Sequence, residues 1–299
     1  MRALLRYPIA FVIFLLFSAR SAQSDSKKIW EDFSGDRALA HVQHLVDLGP
    51  RPPESDAIEK TRAYITDQLH ESGWSITRQE FSDDTPRGKK RFINLIGRFG
   101  DKAEPSFLLC SHYDTKTFDT FRFVGANDGG SSTGLLIEMA RVLAQRPDLA
   151  RKIELVFFDG EEAFEDFSDT DGIYGSRYFA RQLEMENHAK HFRGGILFDM
   201  VGDHSLDVTL PPDSPKELAH DLFASADALK LRKYFTYFSA GITDDHTPLN
   251  AVGIPVIDVI DFDYPPWHTA GDTMDKLSAE SLRIVGSVAA YYLSQFAFK

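Results

Sequence analysis

The chain has 299 residues, 43% hydrophobic and 26% charged, the make-up of an ordinary globular enzyme of one large α/β domain or two smaller ones. A formal net charge of −12 and a sequence pI near 5.3 argue against binding a nucleic-acid backbone, which needs clustered Lys and Arg. Cys110 is the only cysteine, which excludes an internal disulfide.

In chain order, residues 1–22 read as a secretory signal peptide: Arg2 and Arg6, an apolar run through Phe17, then small residues around Ala19-Arg20-Ser21. The run is shorter than the ~20 apolar residues of a membrane span, so export to the periplasm or the exterior is expected rather than an uncleaved anchor. No stable membrane insertion is expected after cleavage, and residues 23–299 form the functional domain. The spacing of Leu39, Val42, Leu45 and Val46 predicts a helix over Ser34–Gly49, stopped by Pro50, Pro52 and Pro53. A second helix is predicted over Asp56–Glu71. Strands follow at Ser75–Phe81, Phe92–Phe99 and Ser106–Cys110, with Gly88-Lys89-Lys90 in the turn between the first two and Cys110 a small buried hydrophobe. Ser131 or Ser132 is expected to cap a helix carrying Leu135, Leu136, Met139 and Leu143 on one face. Ile153–Asp159, Gly195–Phe198 and Ile254–Ile260 are apolar runs suited to central strands covered on both faces. A last helix starts near Ser278 and turns Leu282, Val285, Ala289 and Leu293 inward. No repeat or linker divides the chain. The expected fold is a single-domain α/β protein of three layers, α/β/α, with a mixed, mostly parallel central sheet.

Polar residues gather at the strand exits. His112 and Asp114 follow the third strand, Glu161 and Glu162 the fourth, Asp199 the fifth, and Trp267 and His268 the last; Asp128 precedes the third helix. The carboxyl edge of an open α/β sheet is where ligands bind. Imidazole and carboxylate suit Zn²⁺, and a catalytic zinc takes three protein ligands with one position open. Asp128, one of the paired glutamates and His268 would be those ligands, with the other glutamate a general acid or base beside the metal. The cation would offset the repulsion between Glu161 and Glu162. Asp199, between Phe198 and Met200, is otherwise a costly buried charge.

Other features carry less. His41/His44 and His188/His191 are spaced as helix faces and read as solvated surface, and His70, His204 and His220 have no partner in sequence. Gly129–Gly134 lacks the lysine of a phosphate-binding loop and reads as a helix start. There is no Gly-x-Ser-x-Gly elbow and no His-Glu-x-x-His helix, so neither a serine hydrolase nor the commonest zinc peptidase pattern is supported.

The ordered set His-x-Asp, Asp, Glu-Glu, Asp, His is similar to the M28 zinc aminopeptidase-like family with its phosphorylase/hydrolase-like fold. Within it the chain most resembles the glutaminyl-peptide cyclotransferases, or glutaminyl cyclases. The matching stretches are Thr85–Gly88, Ser111–Phe118, Phe123–Gly130, Phe157–Phe164, Tyr174–Arg177, Asp244–Leu249 and Trp267–Thr269, and the likeness runs from about Gly49 to the C-terminus. The resemblance implies Asp128, Glu162 and His268 as zinc ligands and Glu161 as the general acid/base. It implies Asp199 and Asp245 as a supporting hydrogen-bond network, with Trp267 and Phe164 at the substrate pocket. The chain departs from the cyclase pattern at Phe167, where those proteins carry tryptophan, and in lacking the disulfide some of them have.

The implied activity is conversion of the N-terminal glutamine of peptides or proteins to pyroglutamate, with release of ammonia and one Zn²⁺ per chain. The alternative is an aminopeptidase with two zinc ions, His112 and Asp199 serving the second. A third reading, a non-catalytic binding ectodomain on the same fold, could dispense with the ligands that this chain retains. A monomer is expected.

Overall fold

The computed structural model describes residues 28–100 and 103–299, so the predicted signal peptide lies outside the described residues. Helix α1 (Gly35–Leu48) starts where Ser34 Oγ accepts from the Arg37 N–H, and α2 (Asp56–Glu71) where Ser55 does the same for Ile58. Strands β1 (Trp74–Thr85) and β2 (Gly88–Phe99) form an antiparallel hairpin. Then come β3 (Phe107–His112), α3 (Gly130–Leu143), the single turn α4 (Pro147–Ala150), β4 (Ile153–Phe158) and α5 (Tyr174–Met185). Next are β5 (Gly195–Asp199), β6 (Val208–Leu210), α6 (Lys216–Ala228), β7 (Phe235–Tyr237) and α7 (His246–Ala251). Strand β8 (Val256–Ile260) and α8 (Ala279–Gln295) close the chain, α8 capped by Ser278 Oγ.

The main sheet has six strands in the order β1-β2-β4-β3-β5-β8. β1, β2 and β4 pair antiparallel; β4, β3, β5 and β8 pair parallel. Alternation along each strand makes the three layers. Phe107 and Leu109 of β3, Leu155 and Phe157 of β4, and Ile196 and Phe198 of β5 pack with residues of α1, α2, α3, α6 and α8. Leu108, Cys110, Val156, Phe158 and Leu197 face the other way, onto Phe179 and Leu183 of α5 and Leu249 of α7. A strand with both faces covered is predominantly apolar, which is why these runs read as nearly continuous; Glu154 in β4 is accommodated by Arg98 at 2.5 Å. None of the described helices is long and apolar enough to cross a membrane.

Three local expectations are corrected. The hairpin tip is at residues 86–87, so Gly88, Lys89 and Lys90 belong to β2; long cross-strand pairing extends both strands past their apolar segments. Helix α3 begins at Gly130 with no side-chain cap. Ser131 lies inside its first turn, where its Oγ donates to Asn127 O (2.6 Å) and accepts from the Val201 N–H (3.0 Å). Gly129 occupies the cap position at φ 72°. A Cβ there would stand 2.7 Å from Asp114 O and 2.9 Å from the His112 ring, so glycine lets this helix start press against the end of β3. Finally, His41 is not solvated: its Nδ1 lies 2.7 Å from Tyr64 Oη, and burial first, then His44, lowers its pKa to about 4. His44 is exposed and stacks on the same tyrosine at 3.8 Å.

Candidate metal and active centre

The parallel strands all end on one edge, and the site is assembled there. His112 is the last residue of β3 and Asp199 the last of β5. Glu161 and Glu162 lie just beyond β4, Asp128 just before α3, and His268 in the connection from β8 to α8. The structure brings all six together. One ligand atom each from Asp128, Glu162 and His268 lie within 4.8 Å of one another, and so do those of His112, Asp128 and Asp199. Asp128 belongs to both groups. Its Oδ2 is 3.4 Å from His268 Nε2 and its Oδ1 is 3.3 Å from His112 Nε2. His268 Nε2 is also 3.1 Å from Glu162 Oε2, and His112 Nε2 3.2 Å from Asp199 Oδ1.

A second set of residues fixes these side chains. Asp114 accepts from the N–H groups of Glu161 (3.1 Å) and Glu162 (3.3 Å), tying the β4 exit to the β3 exit. Asp272 accepts from the Asn127 and Asp128 N–H groups (2.8 and 3.1 Å) and from Tyr264 Oη (2.8 Å). Glu162 Oε1 accepts from the Lys116 N–H (3.1 Å), which leaves Oε2 turned to His268. Outer contacts of this kind orient metal ligands. His268 itself has φ 53°, an uncommon left-handed conformation for a side chain with a Cβ, of the sort that clusters at functional sites. Trp267 stacks on its ring at 4.2 Å, and Phe118 and Phe123 stand edge-on at 5.6 and 5.9 Å.

The electrostatics are those of crowded, buried acid. Burial first, then Asp244, Glu162 and Asp245, push Glu161 well above the ordinary carboxylate range, against the pull of His112. Burial raises Asp199 as well. Asp128 goes the other way: burial works to raise it, but the imidazoles of His112 and His268, 3.3 and 3.4 Å from its oxygens, outweigh burial and hold it low. The donor set fits zinc. It is nitrogen and carboxylate oxygen, Asp128 Oδ2 is buried without a hydrogen bond, and the side away from the protein opens into a pocket of about 220 Å³.

That pocket is walled by Glu161, Asp244, Phe167, Ile242, Phe262 and Trp267. Two expectations change here. Phe164 does not reach it; it packs against Phe92 and Tyr174 (6.5 and 6.0 Å between rings), and Phe167, three residues on, takes the wall. Of the adjacent pair Asp244-Asp245, Asp244 faces the pocket with Asp199 and Glu161, whereas Asp245 is fully buried off the wall at the start of α7. Burial raises Asp245 to about 7.

Sequence reasoning missed several residues. Asp258 and His246 form, with Asp244, a third buried group within 4.8 Å. Asp258 stands inside an apolar strand run, the same signal that singled out Asp199. Asp272 carries no signal of its own in the Gly-Asp-Thr loop that holds it.

The pattern of peptidase family M28 matches residues 94–293, two thirds of the chain. The chain belongs to peptidase family M28. This M28 protein is 28% identical to a glutaminyl-peptide cyclotransferase of Dictyostelium discoideum, over 88% of this chain and 86% of that one. It is 33% identical to a glutaminyl cyclase of an Acidobacteriales bacterium, with TM-score 0.81, over 89% of this chain and 95% of that one. A Zn-dependent exopeptidase of Parabacteroides distasonis is 27% identical, with TM-score 0.80, over 88% and 98%. One fold thus carries both kinds of protein.

Proposed function

We propose that this M28 protein is a zinc-dependent glutaminyl-peptide cyclotransferase, an acyltransferase that turns the N-terminal glutamine of peptides and proteins into pyroglutamate and releases ammonia. The carrying observation is Glu161, a buried carboxylate on the pocket wall that stands outside both ligand groups and is held well above its ordinary pKa. Greater identity to the named cyclase than to the named exopeptidase supports the same reading.

Asp128, Glu162 and His268 would hold one zinc ion, whose chemistry is that of a Lewis acid for the side-chain amide carbonyl of the glutamine. Glu161 takes a proton from the α-amine as its nitrogen attacks the amide carbon and closes a five-membered ring. It then gives that proton to the departing nitrogen, which leaves as ammonia. A pKa raised toward neutrality suits a carboxylate to both tasks. Asp199 and Asp244 line the pocket beside Glu161, and Asp244, with Asp245 behind it, favours its protonated form. Phe167, Ile242, Phe262 and Trp267 exclude water and fold the side chain back toward its own amine; that tethering supplies much of the rate. No water is activated, and water entering the pocket would open a hydrolytic side path.

The group His112, Asp128 and Asp199 favours a second reading, a two-zinc aminopeptidase, because it offers a further set of ligands around the shared Asp128. The test is to offer purified protein Gln-blocked and Leu-blocked chromogenic peptides while zinc per chain is counted. Ammonia from the Gln peptide with about one zinc is the expected result. Cleavage of the Leu peptide with two zinc ions would transfer the assignment to the peptidase. Residues 1–22 would direct export, checked by the N-terminus of the protein recovered from the cell envelope.

A further inference from the structure

Arg51 is an unusual buried arginine. It lies between Pro50 and Pro52, is 0% exposed, and among the described residues has no carboxylate within ion-pair distance. Its donors go to main-chain carbonyls instead. Nε donates to Tyr113 O (3.0 Å), Nη1 to Val124 O (2.7 Å) and Nη2 to Gly125 O (2.9 Å). Its backbone adds a reciprocal pair with Thr115: the Arg51 N–H donates to Thr115 Oγ1 (2.9 Å), and the Thr115 N–H to Arg51 O (3.3 Å). A buried guanidinium is costly to desolvate, and its planar fork can be satisfied only by acceptors at fixed places. Burial accordingly lowers Arg51 to about 10, a value at which it still carries its charge at neutral pH.

The carbonyls it grips belong to the two segments that build the ligand set. Tyr113 sits between His112 and Asp114, and Asp114 in turn holds the N–H groups of Glu161 and Glu162. Gly125 immediately precedes the turn at residues 126–129 that carries Asp128. At φ 52° its missing Cβ would lie 2.5 Å from Asp128 O, so glycine lets the Gly125 backbone pack directly against that of Asp128. The guanidinium therefore fixes the distance between Asp128 and Glu162, which come from different loops and must share one ion with His268. We propose that Arg51 is a positioning residue for the metal centre, setting its affinity by bolting the loop of Asp114 to the loop of Asp128. This rests on the assignment of Asp128, Glu162 and His268 as ligands and extends it to a residue that touches neither metal nor substrate.

The experiment titrates zinc into metal-free wild-type protein, Arg51→Met, Arg51→Lys and Thr115→Val, in competition with a chromogenic chelator and below each variant's melting temperature. Arg51→Met is expected to weaken zinc about 10–100-fold, the usual effect of losing a partner of a metal ligand. Arg51→Lys restores charge without the fork and should remain at least about 10-fold weaker than wild type. Thr115→Val removes the acceptor of the Arg51 main-chain N–H and so loosens the seat of the arginine while its guanidinium remains; it should weaken zinc severalfold and gives a second readout if the arginine variants do not fold. A purely structural role would lower the melting temperature and leave the zinc affinity of the folded protein unchanged. Folded variants that bind zinc within twofold of wild type would overturn the proposal. Wild-type protein that binds no zinc would instead overturn the ligand assignment.

Discussion

Asp159 and Glu161 stand two residues apart beyond β4, and both are buried. Asp159 comes with its own cation. Arg62 Nη2 lies 2.5 Å from its Oδ2, the Ile93 N–H donates to the same oxygen at 2.7 Å, and Arg62 Nε reaches Tyr113 Oη at 2.6 Å. Burial opposes the charge on both partners: it raises Asp159 to about 7 even against the pull of Arg62, whereas on Arg62 the pull of Tyr113 and Asp159 outweighs burial and holds the guanidinium above its ordinary value. Around Glu161 the neighbours are Asp244, Glu162 and Asp245, and the nearest base is His112 Nδ1, 3.9 Å away. The contrast separates structure from function. A buried carboxylate whose charge is matched within the chain holds two loops together. One left unmatched takes a proton or borrows a cation from outside, and that is the condition for chemistry.

The largest effect expected from breaking this contrast is on the matched side. Arg62→Met strands Asp159 as an unpaired buried charge and should destabilise the fold by about 3–5 kcal/mol, read from the urea midpoint. Adding Asp159→Asn should recover a substantial part of that loss, since the stranded charge is then gone. A double variant no more stable than the single one would mean that packing, and not charge, dominates there. A smaller effect sharpens the unmatched side. Asp244→Asn should lower kcat about 10–100-fold with zinc content unchanged, and Asp245→Asn by less, because only Asp244 faces the pocket with Glu161. Equal losses in the two variants would remove the distinction drawn between the neighbours.

The layers were legible in the sequence because burial on two faces demands predominantly apolar runs, as in β4, β5 and β8, each carrying a single acidic residue. The convergence of His112, Asp128, Glu161, Glu162, Asp199 and His268 was legible too, since parallel strands deliver their ends to one edge. What escaped depends on direction rather than position. Nothing in Asp244-Asp245 tells which carboxylate faces the pocket, nor in Phe164-Glu165-Asp166-Phe167 which ring does; that is settled by how the β4–α5 loop folds over Phe92 and Tyr174. β6 and β7, three residues each, are too short to show a period. Arg51 and Asp272 act on main-chain groups of distant loops, a partnership that leaves no local pattern. Ser131 satisfied the rule for a helix cap, but its hydroxyl is engaged by Val201, a contact between segments 70 residues apart.

Turnover requires three side chains from separate loops to close on one metal ion while a fourth, acidic one stays free to carry a proton. Counting zinc per chain in Glu161→Gln alongside its rate of ammonia release from a Gln peptide tests this most directly. The prediction is zinc content equal to that of the wild type, with turnover reduced at least about 1,000-fold. Loss of zinc from that variant, or turnover close to the wild-type rate with zinc retained, would contradict it.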